Sequence, residues 1–265
     1  MGHSNVDLNL AVGALQSAVP RLTSLLRSVP DPGAGAVGTW SVGNVASHLA
    51  SIFANYLNMV TGENPDLAST TLDIGRLNSM WLESDIERDP KASSARIERS
   101  FEQLIKKARS MTDDPPIPWH AGLSFPLSTI VSLAVGEVLI HGGDIASGSD
   151  ENWTVPPDEA RTVLAGIIDL APYFVDDNAA RGFSARYDLR IRGGVRAMLA
   201  FERGRLKIHP PGGRADCRIS ADPVAFLLVS YGRVSLWSQV VRGKMLSWGS
   251  KPWLGLKLPA LLRNP

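Results

Sequence analysis

The sequence predicts a two-domain protein, in which a helical bundle is followed by a small α+β domain. The chain has 265 residues, which is longer than the usual single domain. In its first part, apolar residues recur at the spacing of helices. The part that follows has short segments in which apolar and polar residues alternate, as in strands, separated by glycine-containing turns. We therefore predict one domain over residues 1–150 and a second over residues 155–265, with a boundary between Gly148 and Pro156.

Four helices account for most of the first domain. Apolar residues at spacings of three and four run from Val6 to Val29, and a second series begins after Ser41, a residue type favoured at a helix N-cap. A third series runs from Ile97 to Met111, and the fourth, Ser128 to Ile145, is apolar almost all round. Helices of this length predict an antiparallel bundle, with the 57–90 connection as its main irregularity.

The second domain is predicted to be an antiparallel sheet with helices. A helix from Asp158 to Phe174 precedes four segments with strand character, "RYDLRIRG", "VRAMLAFERG", "RLKIHP" and "CRISAD". Gly193–Gly194 and Arg203–Gly204 are suited to the tight turns between them. Two helical segments, a short strand "KMLSWG" and a closing amphipathic segment complete this α+β unit.

Composition excludes several classes of partner and location. The 27 basic and 26 acidic residues nearly cancel, and no basic run is long enough to indicate nucleic-acid binding. The single cysteine, Cys217, excludes an internal disulfide and is expected to be a small buried side chain. The N-terminus does not resemble a signal peptide. No unbroken run of about 18 apolar residues occurs, so the sequence predicts no membrane span. We therefore expect a cytoplasmic protein.

Three side chains are candidates for a metal site. Glu137 and His141 are four residues apart on the fourth helix and therefore project from the same face. His48 lies beside the apolar stripe of the second helix and faces inward. Two histidines and a carboxylate can bind zinc and leave a coordination position open. From spacing alone, the pair could equally hydrogen-bond to each other, and His48 could be an ordinary core residue. The apolar surroundings of Glu137 favour a metal, because burying an uncompensated carboxylate is costly.

Two segments resemble the signatures of the mycothiol-dependent maleylpyruvate isomerase family: "WSVGNVASHLA" at 40–50 and "GEVLIHGGDIA" at 136–146. The resemblance implies a DinB-like four-helix bundle in which His48, Glu137 and His141 bind a divalent metal, most commonly Zn²⁺. The segment from Ala221 to Leu262 resembles the end of the sterol-carrier-like domain that follows the bundle in many members.

Some positions depart from the family pattern or stay open. Members often have an acidic residue where Asn44 stands and an aromatic residue where Gly143 stands, so the packing around the ligands could differ. Asp144 could orient His141 or cap the end of the helix. The family also uses an arginine of the C-terminal domain, and the sequence offers six candidates: Arg186, Arg190, Arg192, Arg196, Arg214 and Arg218.

The resemblance implies a metal- and mycothiol-dependent enzyme that acts on a small electrophile. A metal-held thiolate would attack the electrophile, and the outcome would be cis–trans isomerisation or thiol S-transfer. The alternative is a non-catalytic carrier of lipid or another small ligand. Aromatic and apolar residues of the second domain could line its tunnel, or could be core: Trp237, Trp248, Trp253, Phe226 and Leu227.

Two further patterns are interpreted as loops. "GAGAVG" at 33–38 matches a dinucleotide-binding glycine motif, but it follows a helix exit and has no βαβ context, so we expect a flexible loop. His120, beside Trp119, is also expected in a loop.

Overall fold

The computed structural model describes residues 6–263. These residues divide into two compact units, one from Val6 to Val155 and one that begins at Pro156. The first unit is mostly helical and the second contains a five-stranded sheet. This arrangement confirms the predicted fold class.

The N-terminal unit contains the four predicted helices. They are α1 (Leu8–Ser28), α2 (Val42–Thr61), α4 (Pro90–Ser110) and α5 (Leu127–Gly148), with a shorter α3 (Ile74–Ser84) between α2 and α4. Two small hairpins, β1 (Gly35–Val37) with β2 (Trp40–Ser41) and β3 (Pro116–Pro118) with β4 (Ser124–Pro126), precede α2 and α5.

Helix α2 begins where its capping residue predicts. The Ser41 side chain accepts a hydrogen bond from the backbone N–H of Asn44 at 3.2 Å, which satisfies one donor of the first turn. Gly62 ends the helix with a left-handed φ of 78°, a conformation that glycine adopts without strain. These two caps fix the length of α2 and so the position of the residues on its inward face.

Helix α5 is the core helix of the bundle. Among the described residues it is the one helix long and apolar enough to cross a membrane, but 83% of its most apolar window is buried inside the protein. An all-round apolar helix is expected where neighbours cover most of its surface. Helices α1 and α2 both pack against α5.

Two connections are more ordered than the sequence predicted. The 57–90 connection contains α3, an amphipathic helix whose described residues have no fully buried side chain. The glycine-rich segment 33–38 was expected to be a flexible loop, but Gly35–Val37 pairs with Trp40–Ser41 as a hairpin. The hairpin leads directly into the N-cap of α2.

His120 is a buried anchor rather than a plain loop residue. It lies in a short 3-10 helix (His120–Gly122), and its Nδ1 accepts a hydrogen bond from the backbone N–H of Ala68 at 2.9 Å. Burial lowers the pKa of His120 to about 4, so the imidazole is neutral at neutral pH. The bond attaches the long connection after α2 to the segment before α5.

This anchor predicts a pH-dependent loss of stability. Between its ordinary pKa of 6.5 and its folded value of about 4, the unfolded chain binds a proton at His120 that the folded chain does not. The free energy of unfolding should therefore fall as pH drops from 6.5 to 4, by at most about 3 kcal/mol from this group. Chemical denaturation at several pH values measures the slope.

A matched variant isolates the contribution of His120. In His120→Asn the amide oxygen can still accept from Ala68, but nothing titrates. The free energy of unfolding is measured against pH for both proteins. Any difference between the two slopes is due to His120, since the other titrating groups are shared. Identical slopes would contradict the predicted linkage.

The C-terminal unit is a five-stranded sheet with helices. Its elements are α6 (Pro157–Leu170), β5 (Ala185–Ile191), β6 (Arg196–Glu202), β7 (Arg205–His209), β8 (Cys217–Ala221), α7 (Pro223–Ser230), α8 (Leu236–Val241), β9 (Met245–Trp248) and α9 (Leu254–Lys257). The strand order is β7-β6-β5-β8-β9. The predicted turns at Gly193–Gly194 and Arg203–Gly204 connect β5 to β6 and β6 to β7, and Cys217 is buried as expected.

The sheet is mixed, whereas an antiparallel sheet was predicted. Strands β5 and β8 are parallel, with Tyr187 opposite Cys217, while the other neighbours are antiparallel. The connection 210–216 returns the chain to the beginning of β5, so β8 starts at the same end. Strand direction depends on such a return path, and alternation along a strand contains no information about it.

Candidate metal centre

The structure brings His48, Glu137 and His141 together. His48 projects from α2 and is 3% exposed, and the other two lie one turn apart on α5. One donor atom from each of the three side chains falls within 4.8 Å of the other two. The close packing of α2 against α5 therefore creates the cluster that the spacing suggested.

The donor atoms converge on one carboxylate oxygen. Oε2 of Glu137 is 3.4 Å from Nε2 of His141 and 3.8 Å from Nε2 of His48. Both distances exceed those of strong charge-assisted hydrogen bonds. Ligands about 2.1 Å from a shared tetrahedral ion would be about 3.4 Å apart, which is close to the spacing found here.

Asp144 holds the His141 ring from its other side. Its Oδ2 is 2.9 Å from Nδ1 of His141, and the carboxylate is 7% exposed. Helix α5 continues to Gly148, so Asp144 does not cap its end. In the neutral form of His141, an Nδ1–H that donates to Asp144 would leave the Nε2 lone pair directed towards Glu137, which is the form that binds a metal.

The charges of the cluster favour a cation. Burial would raise the pKa of Glu137, but the two histidines outweigh it and lower that pKa to about 2. Burial likewise opposes protonation of His141, yet Asp144 and Glu137 raise its pKa to about 9. Burial lowers the pKa of His48. Two carboxylates thus stabilise positive charge in a largely buried site.

Two tryptophans pack against the helices that carry the cluster, one on α2 and one on α5. The ring of Trp40 lies 5.1 Å from that of His48, centroid to centroid, and Trp40 belongs to the hairpin before α2. Trp153 donates from Nε1 to the backbone carbonyl of Leu139 at 2.9 Å, and its indole lies against Gly142. No local sequence signal indicated the Trp153 contact, because Trp153 follows the helix and only folding brings it back.

Trp153 occupies the space beside Gly142 and Gly143 on α5. A Cβ placed on Gly143 would lie 3.6 Å from Cδ1 of Trp153, and one on Gly142 would lie 2.2 Å from the same ring system. An aromatic side chain from another part of the chain thus occupies the space beside the helix.

The donor set fits a divalent metal. Two imidazoles and one carboxylate are the ligand types that bind zinc in open catalytic sites, and Asp144 supplies the usual support for a ligating histidine. No hydrogen-bond partner is described for the buried Nδ1 of His48. Its other nitrogen, Nε2, is the one that faces the other two donors, at 3.8 Å from Oε2 of Glu137.

The six candidate arginines lie in the C-terminal unit, where their geometry does not single out one as catalytic. Arg190, Arg196 and Arg218 surround Asp188. Arg192 donates to the backbone carbonyl of Gly243 at 2.9 Å. The two others, Arg186 and Arg214, are exposed.

Fold and site together define a two-unit protein whose helical bundle gathers a His–Glu–His cluster. The family model described as "Mycothiol maleylpyruvate isomerase N-terminal domain" matches residues 15–146, a range that includes all three cluster residues. The chain belongs to the mycothiol-dependent maleylpyruvate isomerase family through this N-terminal unit. Among curated proteins, no sequence matches.

Solved structures show the same two-part fold. The crystal structure of the mycothiol-dependent maleylpyruvate isomerase is 16% identical, with a TM-score of 0.56 over 93% of this chain and 95% of that chain. A histidine-to-alanine mutant of that isomerase is 14% identical, with a TM-score of 0.57 over the same shares. At this identity the likeness establishes the fold, which extends over both units.

Proposed function

We propose that this protein is a metal- and mycothiol-dependent enzyme, an isomerase of the maleylpyruvate type or a thiol S-transferase. The observation that supports it most is the convergence of His48, Glu137 and His141 on one point of the bundle. Family membership and a fold shared with a mycothiol-dependent isomerase agree with this function. The small electrophile and the thiol are its expected substrates.

The three cluster residues would hold a divalent metal, which we propose to be Zn²⁺. When bound, such an ion supplies a positive centre that lowers the pKa of a thiol near it. Glu137 contributes a negative ligand, and the burial of His48 keeps its imidazole neutral, which is the ligating form. The proposed assignment gives each of the three side chains one donor atom.

Asp144 and Trp40 have positioning roles in this proposal. Asp144 fixes the tautomer and the direction of the His141 ring through Nδ1. Trp40 packs against the His48 ring and limits its rotation. Both act through a ligand, so their removal should alter metal affinity more than the fold.

Replacing Asp144 by asparagine should weaken metal binding about 10- to 100-fold, because the charged partner of His141 is lost. Competition with a chromophoric chelator measures the affinity. Asp150→Asn is the matched control, since Asp150 is exposed and lies two residues beyond the end of α5. Equal affinities for the two variants would contradict the positioning role.

Turnover assays separate the two enzymatic outcomes. The purified protein, loaded with zinc, is incubated with mycothiol and maleylpyruvate, and separately with an alkylating electrophile. Isomerisation consumes no thiol, whereas S-transfer consumes one thiol per product. A requirement for mycothiol in either assay supports the proposal, and full turnover by a variant without the three ligands would refute it.

A second candidate function, a carrier of lipid or another apolar ligand, rests on a cavity in the C-terminal unit. The cavity has a volume of about 100 Å³ and an apolar lining that includes Phe174, Leu189, Ile219 and Phe226. Pockets for drug-sized ligands measure about 300–1,000 Å³, so this cavity must expand before it admits a sterol. A preformed sterol pocket would need to be larger than this cavity.

The three tryptophans that could line a tunnel or belong to the core are exposed, and none of them lines this cavity. Trp237, Trp248 and Trp253 are 62%, 40% and 63% exposed. Phe226 does line the cavity, and Leu227 is fully buried. A carrier should copurify with lipid and retain it in a His48→Ala variant, so mass spectrometry of organic extracts tests this alternative.

A further inference from the structure

Three arginines of the C-terminal sheet surround one buried carboxylate. Asp188 lies opposite Arg218 on β8, and Arg190 lies opposite Arg196 on β6. Because side chains alternate along a strand, Asp188 and Arg190 project from the same face of β5. Neighbouring strands thus place four charged side chains on one patch of the sheet.

The arginines bind Asp188 through one edge of each guanidinium. Arg190 donates from Nη2 at 2.7 Å, and Arg196 donates from Nε and Nη2 at 3.0 Å each. Nε of Arg218 is 3.7 Å from Asp188. Arg190 and Arg196 use the Nε–Nη2 edge, so their Nη1 ends point away from the carboxylate.

The cluster has more positive charge than its own carboxylate can neutralise. Asp188 is 4% exposed, and hydrogen bonds from Arg196, opposed by burial, lower its pKa well below the usual range. The arginine side chains are between 36% and 44% exposed. Three guanidinium groups and one carboxylate leave an excess of two positive charges at a surface that water reaches.

The guanidinium groups are held in place before any ligand arrives. Asp188 fixes two of them by hydrogen bonds, and the ring of Trp248, opposite Arg218 on β9, lies 5.6 Å from the guanidinium carbon of Arg190. A fixed guanidinium loses less side-chain entropy on binding than a mobile one. A surface ion pair stabilises a fold only weakly. Fold stability by itself therefore does not account for three arginines held around one carboxylate.

We propose that Arg190, Arg196 and Arg218 form a binding site for the phosphoryl group of a small molecule. A phosphoryl group carries nearly two negative charges at neutral pH and three acceptor oxygens in a tetrahedral arrangement. Those oxygens can accept from donors on three different strands, and arginine pairs with phosphate in a bidentate manner. A single carboxylate offers one charge and two oxygens in a plane. The site lies within the C-terminal unit and does not depend on the metal centre.

Isothermal titration with inorganic phosphate at low ionic strength tests the site. We expect saturable binding that weakens about tenfold in Arg190→Gln and in Arg196→Gln, since each variant loses a charge-assisted contact. Arg205→Gln is the control, because Arg205 is an exposed arginine on β7 and changes the net charge equally. Arg196→Lys should bind with intermediate affinity. Thermal unfolding of each variant establishes that the sheet is intact.

Four outcomes would overturn the proposal. Absent binding, or equal weakening in the Arg205→Gln control, would mean that the arginines form structural ion pairs only. Malonate that binds more tightly than phosphate in an arginine-dependent manner would assign the site to dicarboxylates instead. Phosphate binding that is lost in His48→Ala but retained in Arg196→Gln would place the anion at the metal centre. Acetate, with one charge, should bind more weakly than phosphate.

Discussion

Replacing His141 by alanine is expected to abolish metal binding at the proposed site. The variant loses an imidazole ligand, and Asp144 loses the ring that it orients. Purified wild-type protein should contain about one zinc per chain, and the variant only a small fraction of that, since a site with two ligands holds zinc poorly. Inductively coupled plasma mass spectrometry measures the content. Thiol-dependent turnover should fall by about 100-fold or more with it.

The same loss is expected for Glu137→Gln and His48→Ala. Removing any one donor breaks the set of three, whichever helix provides it. Glu137→Gln has nearly the shape of the original side chain and tests the charge alone. His120→Asn is the control, because it replaces a buried histidine whose described contacts do not involve the cluster. A wild-type protein that binds no zinc even after zinc is added would refute the metal centre and favour the carrier function.

Gly142→Ala is expected to destabilise the N-terminal unit by about 2 kcal/mol. The new methyl group would lie 2.2 Å from the indole of Trp153, so the ring must move and its hydrogen bond to Leu139 must lengthen or break. The change also disturbs α5 next to His141. Thermal or urea unfolding measures the loss of stability, and metal affinity measures the disturbance of the site.

Gly143→Ala is the matched comparison. Its methyl group would lie at an ordinary contact distance of 3.6 Å from Trp153, in the same turn of the same helix. Alanine favours a helix over glycine by about 0.5–1 kcal/mol, so this variant should be slightly more stable than the wild type. Similar stability changes in the two variants would mean that Trp153 does not occupy the described position.

Local sequence signals predicted the helices well, because each such signal acts within a few residues. Ser41 caps α2 through a backbone donor three residues away, and the apolar surface of α5 follows from its own composition. Gly193–Gly194 and Arg203–Gly204 likewise predicted the hairpin turns. The family resemblance gave the identity of the three cluster residues, but spacing alone left His48 and the Glu137–His141 pair with ordinary alternatives.

By itself, the sequence determined the two-part architecture, the helices that carry the cluster and the residues that compose it. The tertiary structure decided what depends on distant segments meeting: the convergence of α2 with α5, the packing of Trp153 on Gly142, the parallel pairing of β5 with β8, and the arginines around Asp188. The physical reason is the separation along the chain of the residues that interact. Periodicity and capping depend on neighbours along the chain, whereas contacts across the fold depend on how all elements pack together.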